Sequence, residues 1–404
     1  MNAPRPAALL FLRLLILAVA WGGAVVSGLL GGVALGQSTP TGFSLIPGGS
    51  FAMGVTSGDT DANAPSVTVT VSPFYIQKTE TTKAQWDEVR TWAVNNGYTD
   101  LAAGAGKAAN HPVQSVNWWD VVKWCNARSE KEGLTPVYTV FGAVMRTGTT
   151  APTANWSANG YRLPTEAEWE KAARGGVSDK RFSWGTDTIS HAQANYFGSS
   201  SYAYDQSPVG HHPSYAADSF PYTSPVESFA ANGFGLYDMS GNVFEWCWDL
   251  YGASSYVNGA TDPRGAASGS GRVSRGGGWF EHAFYCRAAV RHGCAPEDRF
   301  NHFGFRPART HLIEGMSLIP GGSFTMGRTS GDTDGDAPSI TVTVSPFYIQ
   351  QTETTKAQWD EVRTWGLSNG YTDLPTGEGK AANHPVQTVS WWDVVKWCNA
   401  RSEK

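Results

Sequence analysis

The densest concentration of residues that could do chemistry is Asn232–Trp246, NGFGLYDMSGNVFEW. Asp238, Asn242 and Glu245 are interleaved there with seven large apolar side chains, Phe234 to Trp246, around three glycines. Glycine lets a backbone turn where a side chain could not follow. An acid pair spanning Gly241-Asn242 can aim carboxylate and backbone carbonyl oxygens at one point, which is how a hard cation such as calcium is held. A tight turn inside an aromatic core, with its acids solvated, accounts for the same pattern. The second candidate chemistry is that of thiols: Cys125, Cys247, Cys286, Cys294 and Cys398. None forms a CxxC, which argues against a zinc ribbon. In an oxidising compartment an odd count leaves at least one cysteine free or intermolecular.

Other motifs are weaker. Asp59-Thr60-Asp61-Ala62-Asn63 opens like an EF-hand loop, but Ala64 stands where glycine is needed and Thr70 where the bidentate glutamate belongs. A surface turn is expected. His282, His292 and His302 recur at intervals of ten, which puts them on no shared helix or strand face, and loop histidines are expected. The chain has no HExxH, GxSxG elbow or phosphate-binding glycine loop.

The 404 residues carry a net charge of −5 with only 16% charged, so there is no basic footprint for nucleic acid. With Gly 46, Trp 17, Tyr 15 and Phe 18, the composition describes a loop-rich, aromatic-cored globule. Arg5 and Arg13 precede an apolar run from Leu14 to Leu35, with Ala34-Leu35-Gly36 as a small-x-small cleavage site. Residues 1–36 thus read as a signal peptide or N-terminal anchor. The folded part is expected to be exported: periplasmic, cell-surface or extracellular. Contact with a membrane would come only through an uncleaved leader.

The elements that must position these residues come in repeated form. FSLIPGGSFAMG from Phe43 returns as MSLIPGGSFTMG from Met316, in register at an offset of 273 through Lys404, opposite Lys131. One complete unit (43–310) is followed by a second copy of its N-terminal third (316–404), which reads as tandem domains. Val67–Val71 and Phe74–Ile76 read as strands. Thr82 with Gln85, Asn117 with Asp120, and Thr165 with Glu168 read as helix starts. The fold class is α+β, with much irregular structure. Residues 316–404 lack every later motif, and they are expected to be partly disordered or to dock on the first unit as a swapped copy.

The ordered motifs of the first unit resemble one family. They are Gly49-Ser50-Phe51-Ala52-Met53-Gly54, Glu80-Thr81-Thr82 with Gln85, His111-Pro112-Val113, Tyr161–Glu170 (YRLPTEAEWE), the central stretch, Arg275-Gly276-Gly277-Gly278-Trp279 and Gly304-Phe305-Arg306. The set is similar to that of the formylglycine-generating enzyme, or sulfatase-modifying factor, family. The resemblance implies an irregular C-type-lectin-like fold of low regular secondary structure with two structural calcium ions. One calcium set would fall on Asp238, Gly241, Val243 and Glu245; the other on Asn195, Tyr196, Asp218 and Phe220. It also implies oxidoreductase chemistry at a copper(I) ion held by two thiolates, which soft ligands suit. Here Glu281 takes the first cysteine position, Cys286 the second, and Gly278 replaces the motif serine. Cys286 is the one candidate catalytic thiol. Two readings follow: an oxidoreductase acting on a peptide or protein client such as a sulfatase, or a non-catalytic, calcium-stabilised binding module for a peptide, glycan or protein partner.

Overall fold

The computed structural model describes residues 39–404 apart from 58, 60–63, 253–255, 314, 320–321, 329–330, 332–337 and 345–346. The leader at 1–36 and most of the acidic loop at 59–63 lie outside the described residues; Asp59 itself accepts ion pairs from Arg181 and Arg287. Among the described residues no helix is long and apolar enough to cross a membrane.

Helices begin where side chains can cap them. Reciprocal capping boxes pair Thr82 with Gln85 at α1 (Lys83–Ala93), Asn117 with Asp120 at α2 (Trp118–Lys131) and Thr165 with Glu168 at α3 (Glu166–Ala173). Each box satisfies amides that a first turn leaves without partners. Strands Phe43–Ile46, Phe74–Gln77, Ala308–Thr310 and Tyr161–Arg162 form one antiparallel sheet in that order. That pairing sets the two ends of the first unit on either side of Phe74–Gln77. A second sheet runs His292–Cys294, Arg272–Arg275, Phe244–Leu250 and Phe303–Gly304, the last pair parallel. Gly49–Met53 and Val67–Val71 make a separate hairpin.

Two kinds of core hold these elements. Beneath α1 and α2, Trp86 stacks on Trp124 at 5.8 Å with Phe305 edge-on to both. Around α3 the core is ionic as well as apolar. Arg291 grips Glu166 at 2.6 and 2.7 Å, and Arg162 grips Glu168 at the same two distances. Glu170 accepts from both Arg174 and Arg275. The three glutamates and Arg162 belong to the YRLPTEAEWE motif and Arg275 to RGGGW, so both motifs are structural first. Removing one half of such a pair strands a buried charge.

The second copy builds the same local elements. Hairpins join Met316–Ile319 to Phe347–Gln350 and Gly322–Met326 to Ile340–Val344. A short helix, α4 (Pro213–Ala216), precedes them in the chain, and α5 (Lys356–Ser368) and α6 (Trp391–Glu403) follow with capping boxes of their own. The copy meets the first unit at His311, whose Nδ1 lies 2.8 Å from the Tyr348 hydroxyl.

Candidate functional site: the central stretch and the Trp279 face

Asn232–Trp246 lies where four segments cross. Gly241 sits at φ +87°, and a Cβ there would fall 2.5 Å from the Asn195 carbonyl oxygen. Only glycine fits both demands. Asn242 donates its amide to that same carbonyl at 2.8 Å, accepts from Ser224 N at 2.9 Å and donates from Nδ2 to Glu80 Oε2 at 3.0 Å. Glu80 Oε1 accepts from Val243 N at 3.3 Å.

The structure distributes the expected calcium ligands unevenly. Asp238 is buried; Oδ2 accepts from Glu227 N at 2.9 Å and Oδ1 has no hydrogen-bond partner. Glu245 is held by Arg306 through two bonds of 2.7 Å and by Trp169 Nε1 at 2.8 Å. Glu80, Asp238 and Glu245 thus form a buried carboxylate trio, with Arg306 as the cation that faces them. Burial pushes the Glu80 carboxyl well above its usual range and Asp238 up to about 6.

In the other set, Asn195 is buried with Oδ1 unpartnered, while its Nδ2 donates to the Tyr222 carbonyl at 2.8 Å. The Tyr196 carbonyl faces His191 Nε2 at 3.1 Å. The Asp218 side chain is exposed and paired with Lys107 at 3.2 Å, and the Phe220 ring lies at the surface, two residues before the Tyr222 carbonyl that Asn195 holds. Asn195 is joined to the central stretch through Asn242 and to the 222–227 loop through Tyr222. Sequence reasoning missed Glu80, Ser224 and Glu227. Glu80 did open a recognised motif, but nothing local said what its carboxylate would meet.

Cys286 is fully buried among Phe182, Ile189, Ala194, Tyr196 and Ala283. Burial, with smaller pushes from Glu281 and Asp205, holds its thiol well above the usual range. Cys294 packs in a different cluster, with Asp298 Oδ2 at 3.0 Å, and its thiol is pushed up to about 12. All five cysteines are free. A copper(I) site needs paired thiolates, and the residues present do not fit one.

A separate group of aromatic rings gathers around Trp279. Trp279 is buried, with Phe220, Tyr222, His211 and Phe280 ringed around it at centroid distances of 5.1, 5.4, 5.6 and 5.6 Å. Phe220, Phe280 and Phe300 are 62%, 55% and 41% exposed. His302 lies between Phe300 (5.4 Å) and Phe280 (5.9 Å), and its Nε2 is 3.7 Å from Glu281 Oε1. His292 is not a loop histidine. It begins a strand, packs on Phe244 at 5.1 Å and faces Ser274 Oγ at 3.2 Å. Folding therefore brings His292 and His302 to one aromatic cluster that their spacing could not show. Among the described residues no three His, Cys, Asp or Glu side chains converge as metal ligands.

A loop-rich α+β domain, with its sequence motifs tied together by buried arginine–glutamate pairs, is of the C-type-lectin-like class. Within that class the chain belongs to the family described as the sulfatase-modifying factor enzyme 1-like domain, which matches residues 34–311 and again 307–404. It is 32% identical over 290 residues to the formylglycine-generating enzyme of Streptomyces coelicolor, covering 65% of this chain and 87% of that protein. It is 36% identical over 231 residues to the chaperone protein LppX of Paenibacillus barcinonensis, covering 52% and 71%. Among solved structures, Treponema denticola variable protein 1 superposes with a TM-score of 0.51 at 31% identity, over 66% of this chain and 94% of that one.

Proposed function

We propose that the first unit is an exported, non-catalytic, calcium-stabilised binding module that engages a protein partner through the Trp279 face. The observation that carries this reading is the exchange at the family's thiol positions. The Cys286 thiol is sealed in an apolar cluster and held protonated, while Phe220, Phe280 and Phe300 stand exposed around Trp279 and His302. Exposed aromatics grouped on one face are the composition of an interaction surface. The relatives' names, an enzyme, a chaperone and a variable protein, support a scaffold put to more than one use. Export rests on the leader read at 1–36.

Calcium fits where oxygen donors lack partners. Asp238 Oδ1, with the carbonyls of Gly241 and Val243, would hold one ion, and Glu245 would balance its charge from its place on Arg306. Asn195 Oδ1 and the Tyr196 carbonyl would hold the other, with the Asp218 carboxylate engaged by Lys107 instead. The ions would pin loop crossings and supply no reaction chemistry.

The test is aerobic incubation with copper(I) and a cysteine peptide of the sulfatase type, read by mass spectrometry. The peptide is expected to keep its mass. Conversion of its cysteine to formylglycine, abolished by Cys286→Ala, would overturn the non-catalytic reading. Separately, calcium is expected to raise the melting temperature and chelator to lower it, with the response cut by Asp238→Ala.

A further inference from the structure

The Trp279 face contains a carboxylate, Glu281, that no lysine or arginine pairs with among the described residues. Glu281 is set among aromatic rings, its side chain 21% exposed. It follows Phe280, and the ring of His302 stands 3.7 Å from its Oε1 and is sandwiched by Phe280 and Phe300. Among the described residues no hydrogen bond reaches the carboxylate and no lysine or arginine pairs with it. The arginines nearby in sequence are engaged elsewhere: Arg287 with Asp59, Arg291 with Glu166 and Arg299 with Asp120. His302 does not neutralise it either. Burial holds that imidazole at about 4, so it is uncharged near neutrality. Its other charged or titratable neighbours are His282, whose charge would favour the ionised carboxylate from the adjacent position in the chain, and Tyr285 and Cys286, which offer no positive charge.

A half-buried carboxylate walled by aromatic faces is half of a recognition site. The rings attract a cation through their faces, the carboxylate supplies the opposite charge, and partial burial strengthens both terms. We infer that this face takes the lysine or arginine side chain of a protein partner, with Glu281 as its countercharge and Phe280, Phe300 and His302 as its walls. The partner is a polypeptide because the exposed rings come from three separate segments, at Phe220, Phe280 and Phe300, which is more surface than one small ammonium ion covers. The basic side chain is then the central anchor and the outer phenylalanines cover the flanking chain, the arrangement of a hot spot with its rim. This inference rests on the binding-module reading and names its partner's chemistry.

The test uses random heptapeptides displayed on phage, selected against the immobilised full chain, Glu281→Gln and a Phe280→Ala/Phe300→Ala double variant. Melting curves establish that each variant folds; none of the three positions belongs to the buried arginine–glutamate pairs. The expected result is enrichment of Lys or Arg at one position on the parent chain, lost on Glu281→Gln. Replacing that residue by norleucine in a selected peptide should weaken binding roughly tenfold or more, the scale of one charge-assisted contact. Enrichment of peptides with no basic preference would overturn the cation inference and leave the binding module standing. Equal enrichment on the parent and the double variant, or none on the parent, would overturn both.

Discussion

The first unit and the second copy share nearly the same sequence over their common third and end in different environments. Trp118 is 0% exposed and its counterpart Trp391 is 67% exposed; Phe74 and Phe347 are 1% and 43%. Yet α1 and α5, and α2 and α6, begin at equivalent caps, and the tryptophan stack recurs, Trp86 on Trp124 at 5.8 Å and Trp359 on Trp397 at 5.7 Å. What differs is residues 132–310, which cover the first copy; among the described residues nothing equivalent packs on the second. Trp118 Nε1 donates to the Cys247 carbonyl at 2.9 Å and the Arg272 guanidinium lies 3.8 Å over its ring. Glu80 is buried in the carboxylate trio, whereas Glu353 is exposed. Local elements follow local sequence; burial follows what packs on it.

The sharpest way to break this comparison is a matched pair of substitutions. Trp118→Ala should cost about 3–5 kcal/mol of first-unit stability, as large buried aromatics do, while Trp391→Ala should stay within about 0.5 kcal/mol. Urea unfolding of both variants checks it, and equal losses would mean the second copy is covered as the first is.

Arg306→Met probes the covering segment directly. It leaves Glu245, Asp238 and Glu80 without their arginine and should cost about 3–5 kcal/mol, the scale of a broken buried pair. Hydrogen exchange should then quicken across the Phe244–Leu250 strand and leave α5 and α6 unchanged.

A pH series separates the two regions by a different route. His302 has its pKa lowered from 6.5 to about 4, mainly by burial. The unfolded state therefore binds its proton first as pH falls, so this contribution to stability is complete above about pH 6.5 and is lost as pH drops toward 4. Denaturant midpoints of the parent should fall over that window, and His302→Gln should flatten the slope. The second copy carries no counterpart of His302, and exchange rates in α5 and α6, corrected for intrinsic pH dependence, should not follow it.

The smallest effects should be equal in the two copies. Thr82→Ala and Thr355→Ala each remove a cap and should each cost about 1 kcal/mol locally. Exchange of the first-turn amides measures both, and a strongly unequal response would show that tertiary cover, not the cap, sets the helix start.

Much of the architecture was legible in residue order. The strands at Val67–Val71 and at Phe74, and the helix starts at Thr82, Asn117 and Thr165, emerged where β-branched runs and capping boxes placed them. The candidate site was less legible. Gly241 and Asn195 come into contact, while the Asp218 side chain is paired with Lys107 at the surface, because a loop's path depends on such distant contacts. The pairing of Glu245 with Arg306 spans 61 residues, and the proximity of His302 to Glu281 spans a chain reversal. Neither leaves a local trace.

Sequence alone determined the helices, their caps, the hairpin registers and the stacked tryptophans, since both copies form them with different surroundings. Those features depend on hydrogen bonds and contacts between residues close in the chain. Tertiary structure alone decided which of those faces are buried, which carboxylates gain an arginine, and that Cys286 is sealed while Phe280 is exposed and Glu281 half-buried. Burial and charge pairing are properties of neighbours in space, and here those neighbours come from residues 132–310.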